Sequence, residues 1–293
     1  MASHSGSAYH GTVDAIRVRS IFHPSDFSEA SEIAFAHALK IALVTRATLS
    51  MLHAAAEAHA EWHDFPGVRQ TLERWKLIPK GSAKSAVGQL GIDVRKVVAS
   101  SHDPVKACLG YLDQHPADLI VLAVHQREGR MRWLEKSVSQ PLARGAGQMT
   151  LFIPHGVDGF VSRRDGSVSL KSILIPVAAS PSLHPAIEAT SRIIGNLALP
   201  AGTVTLMHAG PAGDMPAAQI PDDTPWTWQR VAKEGEPVER ILQVASEVAA
   251  DLIVMTTAGP DGFLDGLRGT TSERVLRKSR CPVASLPVGS MLG

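Results

Sequence analysis

The sequence predicts an α/β protein built from two tandem copies of one domain, each a doubly wound parallel five-stranded sheet with helices on both faces. An acidic residue followed by an apolar strand occurs twice, as DLIVL at 118–122 and as DLIVM at 251–255. A Ser-Ile strand leading to proline also occurs twice, in RSIFHPSDFS at 19–28 and KSILIPVAAS at 171–180. Helical patterns separate these strands, and strands that alternate with helices form parallel sheets.

The remaining strands repeat in the same order. Residues 49–54 (LSMLHA) and 204–209 (VTLMHA) both read as strands that end in His-Ala. Residues 149–154 (MTLFIP) and 282–287 (PVASLP) read as the last strand of each copy. Because crossovers between parallel strands are right-handed, this order predicts a doubly wound sheet in each copy.

The repeats place an N-terminal domain at residues 16–154, a linker at 155–169 and a C-terminal domain at 170–290. The linker is polar and contains three glycines. The first copy is longer by 22 residues between its His-Ala strand and DLIVL, which predicts an additional helix within 65–90. The second copy has GPAGDMPAAQIPDDTP instead, whose Pro, Gly and Asp content predicts an irregular loop.

Composition excludes several classes of function. Lys plus Arg number 29 and Asp plus Glu number 28, so the chain has no strong field that would attract nucleic acid or a membrane surface. Cys108 and Cys281 lie far apart without metal-type spacing, which argues against a disulfide framework or structural zinc and favours a reducing compartment. The sequence has neither an apolar signal region nor a membrane-length apolar run, so we expect a cytoplasmic protein.

Three features carry a resemblance to a known family. Residues 24–28 (PSDFS) are close to a P-V-D-x-S turn, the second strand ends in Leu-His or Met-His, and residues 251–283 fit a last βαβ unit carrying G-x2-G-x9-G-[ST]. Together these features resemble the universal stress protein family in its tandem form, over about 18–154 and 170–288. The resemblance implies a Rossmann-like fold of the adenine nucleotide alpha hydrolase type and binding of ATP or AMP.

The two copies differ at the positions of this motif. The second copy keeps two of the three glycines and the hydroxyl, whereas the first has lost all three glycines. The second-copy positions are Thr256, Gly259, Gly269 and Thr270, and the first-copy positions are Ala123, Gln126, Lys136 and Ser137. The acidic residue after the first strand shows the reverse, because the first copy has Asp26 and the second has Ala178. Neither copy has the complete set.

The resemblance therefore assigns nucleotide binding to the C-terminal domain. It implies that the adenine lies against the backbone around Val177 and Val204, and that the phosphates lie on the glycines and threonines. The candidate residues are Val177, Ala178, Val204, Met255, Thr256, Gly259, Gly269, Thr270 and Thr271.

These residue types suit a phosphate for physical reasons. Gly259 follows a buried strand at the carboxyl edge of the sheet, where glycine lets backbone N–H groups approach a ligand. Thr270 and Thr271 begin a helix, whose free N–H groups favour an anion. Thr270-x-x-Glu273 is also a helix capping box, which would explain the threonine without any ligand. Capping alone and capping with phosphate binding both remain open.

Other chemistry is weakly indicated. His59 and His63 would share a helix face and are weak candidates for a metal site, but this spacing is common by chance. We find no Ser-His-Asp order, nucleophile elbow or Walker A motif, so no catalytic residue is predicted and any ATP hydrolysis would be very slow.

Two functions remain open at this point. One is a nucleotide-binding sensor or regulator of a stress response, and the alternative is a nucleotide-free module that binds an unknown protein partner. The last strand of each copy is a candidate sheet edge. The resemblance implies that such edge strands pair between domains, and this pairing would also hide the edges. We therefore expect an intrachain pseudo-two-fold pair, or a homodimer.

Overall fold

The computed structural model describes residues 18–55, 64–124, 148–221, 225–257 and 270–288. In these residues the first copy contributes five strands and four helices. Its strands are β1 (Ser20–Pro24), β2 (Thr48–Ala55), β3 (Asp93–Ser100), β4 (Leu119–Val124) and β5 (Met149–Pro154). Its helices are α1 (Glu29–Thr45), α2 (Val68–Arg74), α3 (Ser85–Gln89) and α4 (Pro104–Gln114). The additional helix predicted within 65–90 is present as the short helices α2 and α3.

The described part of the second copy contributes five strands and three helices. Its strands are β6 (Ser172–Val177), β7 (Thr203–His208), β8 (Thr227–Ala232), β9 (Leu252–Thr257) and β10 (Val283–Pro287). Its helices are α5 (His184–Asn196), α6 (Pro237–Glu247) and α7 (Thr271–Lys278). The segment after β7 contains a short 3-10 turn at Ala212–Asp214 and is otherwise irregular in its described residues, as its composition predicted.

The ten strands form one sheet in the order β3-β2-β1-β4-β5-β10-β9-β6-β7-β8. Within each copy all the pairings are parallel, and the first strand lies between the second and the fourth. The chain thus leaves β1 towards β2 on one side and returns to β4 on the other, and β6, β7 and β9 repeat this arrangement. The predicted doubly wound α/β fold is confirmed, and each half has its own topological switch point.

The two halves meet through an antiparallel pairing of β5 with β10. Phe152 pairs with Val283, and Thr150 pairs with Ser285. The sequence predicted these two strands as edges that pair with each other, and the pairing is confirmed. It leaves β3 and β8 as the outer strands of the described sheet.

The acidic residue before the fourth strand plays the same role in both copies. The Asp118 carboxylate accepts a hydrogen bond from the backbone N–H of Ser20 at 2.9 Å, and Asp251 accepts one from Ser172, also at 2.9 Å. Each aspartate therefore fixes the start of the neighbouring first strand. This shared contact explains why both copies have an aspartate before the fourth strand.

The sheet separates two hydrophobic clusters. Along β1, Ile21 belongs to one cluster and Phe22 to the other, as expected from the alternation of side chains in a strand. Helices α1, α2 and α5 cover the first cluster, with buried residues such as Leu39. Helices α4, α6 and α7 cover the second, with buried residues such as Leu112 and Ile241. The helices therefore lie on both faces, as predicted.

The segment predicted as a linker is packed against the first copy. His37 of α1 is fully buried, its Nδ1 donates to the carbonyl of Ile33 at 2.8 Å, and its Nε2 accepts from the backbone N–H groups of Phe160 and Val161 at 3.0 and 3.2 Å. Trp75 also donates to the carbonyl of Arg163 at 3.1 Å. Residues 160–163 are thus held by side chains of the first copy.

The two cysteines, Cys108 and Cys281, are free and buried. Burial raises the pKa of the Cys108 thiol to about 12. In the part of the chain described by the structure, no helix has the length and apolar character needed to cross a lipid bilayer.

Candidate functional site

A cleft of about 310 Å³ opens at the carboxyl ends of β6, β7 and β9. Because β6 lies between β7 and β9, the cleft sits at the switch point of the second copy, where open α/β sheets bind ligands. Its walls come from the strand ends, from the residues that follow β6 and β7, and from the first turns of α6 and α7.

A histidine joins two of the strand ends. His208, the last residue of β7, makes a hydrogen bond of 3.1 Å from Nδ1 to the carbonyl oxygen of Val177, the last residue of β6. The first copy repeats this contact, since His53 Nδ1 lies 2.7 Å from the carbonyl oxygen of Ser25. This histidine hydrogen bond therefore fixes the floor of the cleft and explains why both copies have a His at this position.

Helix α7 directs its N-terminus into the cleft. Thr270 precedes the helix, and its Oγ1 accepts from the backbone N–H of Glu273 at 3.3 Å. The Glu273 carboxylate accepts in return from the backbone N–H of Thr270 at 3.3 Å. The predicted capping box is confirmed. Because a hydroxyl that accepts one bond can still donate its own hydrogen, capping leaves the Thr270 O–H free to bind an anion.

The first turn of α7 provides further donors. Thr271 and Ser272 both line the cleft, and backbone N–H groups at these first two helical positions have no acceptor within their own helix. The positive end of the helix dipole acts at the same place. This wall of the cleft is therefore suited to an anionic group.

Apart from His208, the other described walls carry no ionisable side chain. Among the described residues that line the cleft there is no carboxylate, and the polar side chains include Ser180, Thr256 and Thr257. Val177, Met255 and Ile241 add apolar surface. A ligand with an apolar planar part and an anionic part would match this division.

Most of the residues predicted from the sequence come together here. Val177, Ala178, Met255, Thr256, Thr270 and Thr271 all line the cleft. Val204 lies near the start of β7, fully buried in the hydrophobic core, and the cleft meets that strand at Met207 and His208 instead. Gly259 and Gly269 lie outside the described residues.

Sequence reasoning missed part of the lining. Met207, Ala209, Pro237 and Ile241 contribute to the walls. Met207 and Ala209 flank the His208 that ends β7, so the rule that ligands lie beyond the carboxyl ends of parallel strands could have found them. Pro237 and Ile241 belong to α6, whose approach to the cleft depends on tertiary packing and leaves no local signal.

The proposed metal ligands cannot be placed. His59 and His63 lie outside the described residues. Within the ranges that the structure describes, no group of three or more His, Cys, Asp or Glu side chains has the geometry to hold a metal ion.

The same region of the first copy carries an aromatic cluster. Phe27 stacks on His53, and Phe65 contacts Phe27 edge-on with centroids 5.2 Å apart. Asp26 accepts hydrogen bonds from the Ser28 backbone N–H at 3.0 Å and from the Ser28 hydroxyl at 2.6 Å. The acidic residue of the first copy therefore stabilises the turn before α1. The first-copy motif positions Gln126, Lys136 and Ser137 lie outside the described residues.

The doubly wound halves and the cleft at a switch point define a pair of α/β domains of the Rossmann-like type. The model of the universal stress protein family matches residues 18–154 and 226–287, which together are more than half of the chain. The chain therefore belongs to the universal stress protein family, as its resemblance predicted.

Individual relatives agree with this assignment. Universal stress protein MJ0531 of Methanocaldococcus jannaschii is 44% identical over 50 residues, which are 17% of this chain and 29% of that relative's length. The crystal structure of a universal stress protein from Archaeoglobus fulgidus is also similar, with a TM-score of 0.59 and a sequence identity of 18%. The similarity covers 92% of this chain and 98% of that protein.

The same architecture also occurs in a different setting. The cytoplasmic domain of a prokaryotic cation chloride cotransporter is 11% identical, with a TM-score of 0.52, and the likeness covers 94% of this chain and 97% of that domain. At such low identities these structures share the fold alone, and a fold does not determine function. The function has to be argued from the cleft.

Proposed function

We propose that this universal stress protein binds an adenine nucleotide, ATP or AMP, in the cleft of its second copy. It would act in the cytoplasm as a sensor or regulatory binding protein without fast turnover. The observation that carries the proposal is the meeting of the α7 N-terminus with the ends of β6 and β9 in one cleft of about 310 Å³.

The lining supports a division of labour. The phosphates would accept hydrogen bonds from the N–H groups of Thr271 and Ser272 and from the Thr270 hydroxyl, at the positive end of the helix dipole. The adenine would lie against Val177 and Met255. By their positions in the family motif, Gly259 and Gly269 would add backbone donors close to the phosphates.

The experiment combines release of bound ligand with binding measurements. Purified protein is denatured, any released nucleotide is identified by mass spectrometry, and ATP and AMP are titrated by calorimetry. Gly259→Val should abolish binding, because a side chain would stand where the backbone has to approach phosphate. Gly213→Val is the matched control, since a Cβ built at Gly213 meets no atom within 4 Å. Absence of both released nucleotide and calorimetric binding would contradict the proposal.

A nucleotide-free interaction module is the second candidate. Two observations favour it: Ala178 replaces the acidic residue in the cleft, and the described part of the first copy has an aromatic cluster in the equivalent region. Under this alternative, Gly259→Val would leave the biological activity and the binding of a partner protein unchanged.

Release of phosphate from ATP above the uncatalysed rate would instead indicate a slow hydrolase.

A further inference from the structure

Two of the helices that wall the candidate cleft are joined by one carboxylate. Glu236 precedes α6, and its Oε2 accepts a hydrogen bond of 3.0 Å from the backbone N–H of Glu239 in the first turn of that helix. Its Oε1 accepts a hydrogen bond of 2.8 Å from the guanidinium of Arg274 in α7. Because each oxygen serves a different helix, Glu236 fixes the beginning of α6 relative to α7.

This ion pair lies beside the residues that line the cleft. Pro237, which follows Glu236 directly, is part of the α6 wall. Ser272, two residues before Arg274, is part of the α7 wall. The described lining includes neither Glu236 nor Arg274. The pair would therefore act on a ligand through the two helix ends that it holds.

The position of Arg274 explains why it needs this partner. Arg274 is the fourth residue of α7, and its backbone N–H donates to the carbonyl of Thr270 at 3.0 Å. A cation in the first turn of a helix is disfavoured by the positive end of the helix dipole. The Glu236 carboxylate compensates this charge, and the side chains of Arg274 and Glu236 are only 40% and 38% exposed.

Buried apolar side chains hold the same two helices to the sheet. They belong to one hydrophobic cluster and are Val238, Ile241, Val275 and Leu276. This packing keeps α6 and α7 in place, whereas the ion pair restricts the orientation of their N-terminal ends. Loss of the ion pair should therefore disturb the beginning of α7 and leave the fold intact.

We propose that Glu236 and Arg274 are positioning residues for phosphate recognition. By joining the beginnings of α6 and α7, their ion pair aims the first-turn N–H groups of α7 at the phosphate of the bound nucleotide. This role rests on the nucleotide binding proposed above. Recognition of the phosphate, unlike that of the adenosine part, then depends on two residues outside the lining of the cleft.

Calorimetric titration of AMP and of adenosine into the full-length protein tests this role. Glu236→Gln keeps an oxygen that can cap α6 but loses the charge, so it should weaken AMP binding about fivefold and leave adenosine binding unchanged. Arg274→Met should have the same effect. The double variant should bind AMP no more weakly than either single variant, because the two residues act as one pair. Arg274→Lys should restore the AMP affinity to within about twofold, since an ammonium can also donate to Glu236.

Glu247→Gln is the matched control. Glu247 lies at the opposite end of α6 and forms an ion pair of 2.6 Å with Lys233. The described lining of the cleft includes neither of these two residues. This variant loses an ion pair of the same helix and should bind AMP like the unchanged protein.

Several results would overturn the positioning role. Stronger AMP binding by Glu236→Gln would show that Arg274, once released, binds the phosphate itself. Unchanged AMP binding, equal weakening of AMP and adenosine, or effects that multiply in the double variant would also contradict it.

Amide hydrogen exchange of the ligand-free protein separates this role from nucleotide binding itself. If the unchanged protein binds no AMP, the proposed function fails, and the exchange rates of the α7 amides still test the ion pair. These amides should exchange faster in Glu236→Gln than in Glu247→Gln. Equal exchange in the two variants would show that Glu236 does not hold the beginning of α7.

Discussion

The ring of Phe27 stacks on the imidazole of His53, with centroids 4.0 Å apart and planes inclined by 18°. In the second copy, Ala179 stands at the position of Phe27, and His208, the counterpart of His53, lines the candidate cleft. Both histidines make the same hydrogen bond to the neighbouring strand end. The two copies thus share this histidine hydrogen bond and differ in the side chain that lies beside the histidine.

The first prediction restores this aromatic residue in the second copy. Ala179 is adjacent in sequence to the lining residues Ala178 and Ser180. Ala179→Phe should place a ring beside His208 and weaken nucleotide binding at least about tenfold, because the ring would occupy the volume that the nucleotide needs. Calorimetric titration with AMP measures the effect, and Ala179→Ser serves as the small-residue control. Unchanged affinity of the phenylalanine variant would show that position 179 does not face the bound nucleotide.

The second prediction concerns the backbone at Phe27, which has a φ of 61°. This left-handed conformation costs about 1–2 kcal/mol for most residues other than glycine, asparagine and aspartate. Phe27→Ala keeps that cost and loses the aromatic contacts, so it should lower the free energy of unfolding by about 2 kcal/mol. Phe27→Gly loses the same contacts but relieves the backbone, so it should be less destabilised than Phe27→Ala. Urea denaturation compares the two variants, and a less stable glycine variant would contradict this reading.

The third prediction isolates the contact between the linker segment and α1. Gly159 and Gly156 both have positive φ, of 71° and 78°. A Cβ at Gly159 would collide with the ring of His37, whereas a Cβ at Gly156 meets nothing within 4 Å. Both alanine variants carry the backbone cost, but Gly159→Ala should be more destabilised by about 1–3 kcal/mol. Equal melting temperatures for the two variants would mean that the segment does not pack on His37.

The fourth prediction is a pH dependence. Burial lowers the pKa of His37 to about 4, from an ordinary value of 6.5, and its Nε2 must be unprotonated to accept from Phe160 and Val161. Since the unfolded chain binds this proton more readily, the contribution of neutral His37 is complete above pH 6.5. It is lost as the pH falls from 6.5 to about 4, by roughly 1.4 kcal/mol per pH unit at most.

His37→Gln removes this titration, since the amide oxygen can accept a hydrogen bond but does not protonate. The difference in free energy of unfolding between the unchanged protein and this variant should therefore be largest at neutral pH and shrink towards pH 4. His23 is also buried with its pKa lowered to about 4, so part of the pH dependence should remain in the variant. A difference that stays constant across this range would rule out the assignment to His37.

Several features could be predicted from the sequence because they depend on local patterns. The repeat of Ser-Ile-x-x-Pro and Asp-Leu-Ile-Val fixed the strand order, and the Thr270-x-x-Glu273 spacing predicted the cap of α7. The pairing of β5 with β10 was implied by the family resemblance, once these strands were identified as the last of each copy. In each case the signal lies within a few residues or in the comparison of the two copies.

The remaining features depend on contacts between distant parts of the chain. His37 accepts from Phe160 and Val161, more than 120 residues away, and no local pattern marks such a contact. The same is true of the cleft beside α2, α3 and β3, whose lining residues come from separate elements. Polar composition and three glycines predicted a linker at residues 155–169, but did not indicate that Phe160 and Val161 donate hydrogen bonds to His37 of α1.

The central claim is that two copies of one fold carry different chemistry, with a nucleotide site in the second copy. The stoichiometry of AMP or ATP binding, measured by calorimetry on the full-length protein, tests this claim most directly. We predict one nucleotide per chain, lost in Gly259→Val and retained in Gly213→Val. Two nucleotides per chain would show that the first copy also binds nucleotide. No bound nucleotide would show that the second copy does not bind it. Either result would contradict the account.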